Sequence, residues 1–116
     1  MKFNLNDKES IELKYSFRSN IYFEQIQNKN VDFTNFSSND LITLFYCVVI
    51  STLQKEKRPI ISMLDFLDMI DDYNNGDKCI IEFSEWYTKV VAAQWEVLDS
   101  IEPEKPKKST GKKKQN

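Results

Sequence analysis

The stretch Asp71 to Phe83, DDYNNGDKCIIEF, places oxygen-bearing side chains at a spacing that suits calcium. In the EF-hand template, oxygen ligands sit at loop positions 1, 3, 5 and 12 and a glycine at 6 makes the sharp bend. Counted from Asp71, residues Asn75, Gly76 and Glu82 fall on schedule and Phe83 follows the final Glu. Position 3, however, is Tyr73, position 8 is Lys78 where an apolar side chain usually closes the loop, and position 9 is Cys79. Asp71, Asn75, one backbone carbonyl and Glu82 fall short of the roughly six to eight oxygens that the ion takes. The preferred reading is therefore a tight turn. In it NNG ends one helix, with Asn75 or Gly76 in the left-handed conformation, and Asp77 begins the next near its N-terminal dipole.

Other chemistry is limited by what the chain lacks. With no histidine, neither a Ser-His-Asp nor a Cys-His nucleophile can be built, nor an HExxH zinc site. The only glycines, Gly76 and Gly111, supply no phosphate-cradling loop. Cys47 and Cys79 are too few for a zinc site by themselves or for a disulfide framework, and Cys47 lies in the apolar run LFYCVVI, where a small buried thiol is the ordinary expectation. Carboxylates remain: Asp65, Asp68, Asp71 and Asp72 are the candidate acids, bases or magnesium ligands. Acidic residues recurring in this way along a helix make a solvated face. The expectation is a protein that is not an enzyme, with no catalytic, cofactor-binding or metal residues.

The elements that would position these groups follow from periodicity. Phe3 and Leu5 lie on one side of the polar cluster Asn6-Asp7-Lys8-Glu9-Ser10, and Ile11, Leu13, Tyr15 and Phe17 alternate on the other, which predicts a β-hairpin. A lone hairpin is marginal, so it must lie on something. A short helix is expected over about Arg18 to Asn28 with Ile21, Tyr22 and Ile26 as its apolar positions, broken by NKN. Ser37 stands three residues before Asp40, a capping-box start for a helix from Ser38 to about Lys55. That helix is apolar nearly all round between Leu41 and Leu53, so it is either the centre of the domain or partly covered by another chain. Lys57-Arg58-Pro59 interrupts it, and Ser62 with Asp65 repeats the capping arrangement. A third helix, Met63 to about Tyr73, would turn Met63, Phe66, Leu67 and Ile70 inward and its four aspartates to water. The last helix, about Cys79 to Ile101, would bury Phe83, Trp86, Tyr87, Val90, Val91, Leu98 and Ile101, with Pro103 at its exit.

At 116 residues the chain is one domain, and its 41% hydrophobic content is enough for a modest core. The net charge of -2 hides an asymmetry: residues 1–102 carry 10 Lys+Arg against 17 Asp+Glu, and residues 103–116 carry 6 against 1. The fold class expected is mainly α (α+β), a hairpin packed on about four helices over 1–102. The Lys-rich tail 103–116, which has no aliphatic or aromatic residue, is expected to be disordered. Trp86, Tyr87 and Trp95 fall at or beside core spacing and the body is acidic, so nucleic acid is not an expected partner. MKFNLNDKES lacks the apolar stretch of a secretory signal, and the run Leu44 to Ile50 is far shorter than the roughly 20 residues that cross a bilayer. A soluble, cytoplasmic protein is expected.

The hairpin running into LKYSFRSNIYFEQI, the buried NDLITLFYCVVIS, the acidic SMLDFLDMIDDY and the closing IIEFSEWYTKVV resemble, in their succession over about Ile11 to Val91, the tail assembly chaperones of long-tailed bacteriophages. The resemblance implies a small, helical, non-enzymatic protein of the host cytoplasm. Such a protein would coat the tape measure protein, keep its apolar helices from aggregating and help recruit tail tube subunits. It also implies self-association, which would suit the apolar helix of residues 41–53. A longer frameshifted product is common in the family, and the adenine-rich codons that lysines allow would suit such a slip. Two other readings fit the composition: a small helical adaptor or inhibitor of a phage or host protein, and a degenerate EF-hand-like calcium module built on Asp71 to Glu82.

Overall fold

The structure, a computed structural model, describes residues 1–101, and for Phe33 and residues 94–101 the backbone only. The expected disordered tail, 103–116, lies outside the described residues. Strand β1 (Lys2–Asn4) pairs antiparallel with β2 (Ser10–Glu12), Phe3 opposite Ile11. The turn between them is organised by Asn6, whose side-chain oxygen accepts from the backbone N–H groups of Lys8 and Glu9, both at 2.8 Å. Phe3, Ile11 and Leu13 are buried, so one face of the hairpin lies on the helices, as its small size requires.

The alternation continues in the sequence to Phe17, but the strand does not. Ser16 is extended and its hydroxyl accepts from the Ser19 N–H, which caps α1 (Phe17–Gln27) and leaves Phe17 exposed at its first position. The inward face of α1 also differs from the expectation. Ser19 and Phe23 are buried, whereas Ile26 is half exposed and Ile21 and Tyr22 sit on the flanks. The Ser19 hydroxyl, buried, donates to the Ser16 carbonyl at 2.7 Å, and the Phe23 ring packs on Phe36, 5.4 Å away between centroids. Asn28, in the left-handed conformation, ends the helix with its N–H on the Glu24 carbonyl.

A 3-10 turn over Phe33–Asn35 leads to α2 (Ser38–Lys55), whose capping box is complete. The Ser37 hydroxyl accepts from the Asp40 N–H and the Asp40 carboxylate accepts from the Ser37 N–H. Of the two roles the sequence allowed, α2 takes the central one. Leu44, Phe45, Cys47, Val48 and Val49 have no exposure, and even Ser51 and Thr52 are buried, their hydroxyls donating to the Val48 carbonyl. The hairpin, α1 and the two later helices of the same chain surround it. Lys57 turns left-handed and the Arg58 N–H closes on the Leu53 carbonyl at 2.9 Å, which ends α2.

Helix α3 (Met63–Tyr73) begins at Ser62, whose hydroxyl accepts from the Asp65 N–H. Phe66 and Ile70 point inward, Met63 is half-buried, and Leu67 looks outward rather than into the core. Helix α4 (Asp77–Ile101) starts at Asp77, as the tight-turn reading had it and two residues before the periodicity did, and buries Cys79, Phe83 and Tyr87. Trp86, Val90 and Val91 are only half-buried, and the expected contributions of Leu98 and Ile101 fall outside the described side chains. The centre of the core is aromatic: Phe45 stacks on Phe83 at 4.3 Å and meets Phe3 and Phe66 edge-on.

Asp40 does more than cap. Its buried carboxylate also accepts from Gln27 at 2.7 Å and from Lys29 at 2.5 Å, tying the end of α1 to the start of α2. The Lys29 ammonium first, and the Ser37 N–H second, hold its pKa well below the ordinary 3.8. A lowered folded pKa stabilises the fold above 3.8, and this contribution is lost as pH falls below that value. Asp40→Asn is therefore expected to melt lower than the parent at neutral pH, with the gap narrowing as the pH of successive thermal melts drops below 3.8. A gap that stays constant down to acid pH would contradict this account.

Candidate functional site

The carboxylates that could have done chemistry are spread over helical surfaces. Asp65, Asp68, Asp71 and Asp72 are all exposed on α3, as periodicity predicted. Among the described residues, no group of three or more acidic or sulfur-bearing side chains is placed to hold a metal ion. The 12-residue calcium loop does not form as a loop. Asp71 to Tyr73 are the last residues of α3, Asp77 to Glu82 already belong to α4, and only Asn74, Asn75 and Gly76 lie between.

That connection is a helix stop of the expected kind, with both Asn75 (φ 68°) and Gly76 (φ 60°) left-handed. The Gly76 N–H caps the Ile70 carbonyl at 2.9 Å. A Cβ on Gly76 would meet only the Asp71 carboxylate, at an ordinary 3.8 Å, so the cost of adding one is conformational rather than steric. Gly76→Ala should lower stability by about 1 kcal/mol, read from urea melts. Equal stability would mean the turn relaxes out of the left-handed region.

Burial disfavours the thiolate at both cysteines. Both are buried, and burial pushes the thiol of each up to about 12, with the charge of Glu82 adding to the effect at Cys79. A polar cleft of about 280 Å³ between the hairpin turn and the end of α3 is lined by Asn4, Asn6, Asp7, Asp72, Tyr73 and Asn75. Part of its polar lining is already engaged: the Asn4 side chain donates to the Tyr73 carbonyl, and the Asn6 oxygen serves the turn.

A second concavity, of about 390 Å³, has a different character. Ser38, Leu41 and Ile42 line it from the first turns of α2, and Asp77, Ile80 and Ile81 from the first turns of α4. Each set has i, i+3, i+4 spacing, so each is one continuous stripe on its helix. The stripes lie side by side because Phe45 and Phe83, one further turn along each helix, stack beneath them. Leu41, Ile42 and Ile80 are half-buried and Ile81 is 60% exposed, so the walls are apolar yet open to solvent.

The sequence alone named no partner-binding residues. A signal was present: Ile80 and Ile81 are apolar but lie off the inward stripe formed by Cys79, Phe83 and Tyr87. Charge is also uneven along the chain. Residues 63–93 contain seven acidic and two basic residues, all seven acids exposed, whereas residues 1–62 contain seven acidic and eight basic. The negative excess of the body therefore sits on α3 and α4.

Among the described residues, no helix is long and apolar enough to cross a membrane. Compared with protein-family models, with curated proteins and with solved structures, the chain matches none.

Proposed function

We propose that the protein is a tail assembly chaperone of a long-tailed bacteriophage: a non-enzymatic holdase in the host cytoplasm that binds the tape measure protein and helps recruit tail tube subunits. The observation that carries this reading is the open apolar groove at the head of α2 and α4, where Leu41, Ile42 and Ile80 rest on the core yet stay partly open to solvent and Ile81 is largely exposed. A holdase without a nucleotide needs such a surface, together with charge that keeps its own copies apart. The succession of hairpin, buried helix, acidic helix and closing helix, on which the resemblance rests, agrees with the described fold.

Mechanistically, each groove would cover a short part of a long client's apolar stripe. Single contacts of this size are weak, but copies that engage one client also raise the effective concentration of further contacts. Self-association would not use Leu44, Phe45, Val48, Val49 or Leu53 of α2, which are enclosed by their own chain. Co-expression with a helical tape measure fragment tests the reading. The fragment should move from the pellet to the supernatant when the protein is present, and equal insolubility with and without it would overturn the proposal. A long, helix-rich reading frame immediately downstream separates this reading from an adaptor or inhibitor of some other protein.

A further inference from the structure

We propose that the groove between α2 and α4 is the docking site for a cationic amphipathic helix, one whose apolar stripe is flanked by lysine or arginine. This deepens the holdase reading and rests on it in one respect: that the chain acts by covering another chain's apolar surface. The groove itself specifies a helical anchor set. Its two walls are i, i+3, i+4 stripes, and side chains repeating at the same spacing on a third helix can lie between them.

Charge decides among the occupants. Asp77 stands in the wall, α4 continues with exposed Glu82 and Glu85, and α3 adds Asp65, Asp68, Asp71 and Asp72, against Lys78 and Lys89 alone. A second copy seated on this face would set its own Asp77, and the acidic excess of its α3 and α4, against those of the first, and like charges brought together oppose the contact. The chain's own lysine-rich segment, 103–116, has the complementary sign but no aliphatic or aromatic side chain to fill an apolar groove. A helix with an apolar stripe and basic flanks satisfies both requirements. The acidic surface would then speed its capture and reject acidic helices that carry the same stripe.

The test uses the full chain and two synthetic helical peptides with the same leucine stripe, one flanked by lysines and the other by glutamates, in fluorescence anisotropy titrations. The lysine peptide should bind at least about tenfold more tightly, and its advantage should shrink as salt rises from about 50 to about 300 mM. Ile81→Asn, at a largely exposed position, should weaken the lysine peptide by about tenfold while leaving the melting temperature unchanged. Phe17→Asn serves as the control. It is apolar and more exposed than Ile81 but sits at the other end of α2, beside Ser16 and Arg18, which bond Ser51 and Gln54, and it should leave binding as it was.

Equal binding of the two peptides, or equal loss from Phe17→Asn, overturns the proposal. So does a dimer in sedimentation that Ile81→Asn dissociates, because the groove would then belong to a second copy. If Ile81→Asn still solubilises the tape measure fragment and the peptides do not bind, the groove assignment falls while the holdase reading stands. If the lysine peptide binds as described but the fragment stays insoluble, the holdase reading falls and the groove assignment stands.

Discussion

Phe45→Ala should lower the melting temperature by about 18 °C, the largest effect expected of any single substitution considered. Removing a fully buried phenylalanine side chain costs about 3–5 kcal/mol, and about 4 °C is lost per kcal/mol in a domain of this size. The upper part of the range applies because the ring touches three others: Phe83 in a parallel stack at 4.3 Å, Phe66 edge-on at 5.1 Å and Phe3 edge-on at 5.5 Å. These four rings belong to β1, α2, α3 and α4, so the cavity would open where four elements meet and none could close it by a small shift. Phe45→Leu should recover more than half of the loss, since it restores most of the volume. The stacked pair adds a coupling: a double-mutant cycle of Phe45→Ala and Phe83→Ala should be non-additive by about 0.5–1.5 kcal/mol. A shift below about 5 °C for Phe45→Ala would mean that the rings are not packed as described.

The second large effect should come from a polar residue. Asn74 is buried at the end of α3 and its side chain makes three hydrogen bonds: its oxygen accepts from the Asn4 N–H at 2.9 Å, and its amide donates to the Asn4 carbonyl at 2.8 Å and to the Met69 carbonyl at 2.9 Å. It thus stands in for a strand partner on the outer edge of β1. Asn74→Ala would leave both backbone groups of Asn4 without that partner, at a cost of about 2–4 kcal/mol. The loss should be local before it is global. Hydrogen exchange at the Asn4 amide should accelerate well ahead of amides in the middle of α2. Asn74→Asp keeps the acceptor but sets a carboxylate against two carbonyl oxygens, so it should be at least as destabilising at neutral pH. Unchanged exchange at Asn4 in either variant would show that the hairpin is held by its apolar face alone.

The features legible in the sequence are those with local causes. The starts of α2 and α3 follow from Ser37 with Asp40 and from Ser62, whose side chains act on backbone groups three residues away. The stop at Asn75 and Gly76 is local too, and it explains a loop that resembles a calcium site without forming one. The inward face of α1 was not legible, because half of it is Ser19, a buried polar residue that apolar periodicity does not mark. The Asn74 clamp was hidden for a different reason: its partner Asn4 is 70 residues away, and nothing in either neighbourhood marks the pair. The groove needs two triplets, one from each of two helices, and becomes a site only once Phe45 and Phe83 have brought those helices together.

Cys47 and Cys79 make the unmodified chain its own unfolding clock. A thiol reagent in solution can label only molecules whose interior has come open, so the rate of labelling counts those events without any engineered probe. Because one sulfur lies in the central helix and the other at the root of the last, their relative rates would reveal whether α4 peels away on its own or the whole assembly lets go at once.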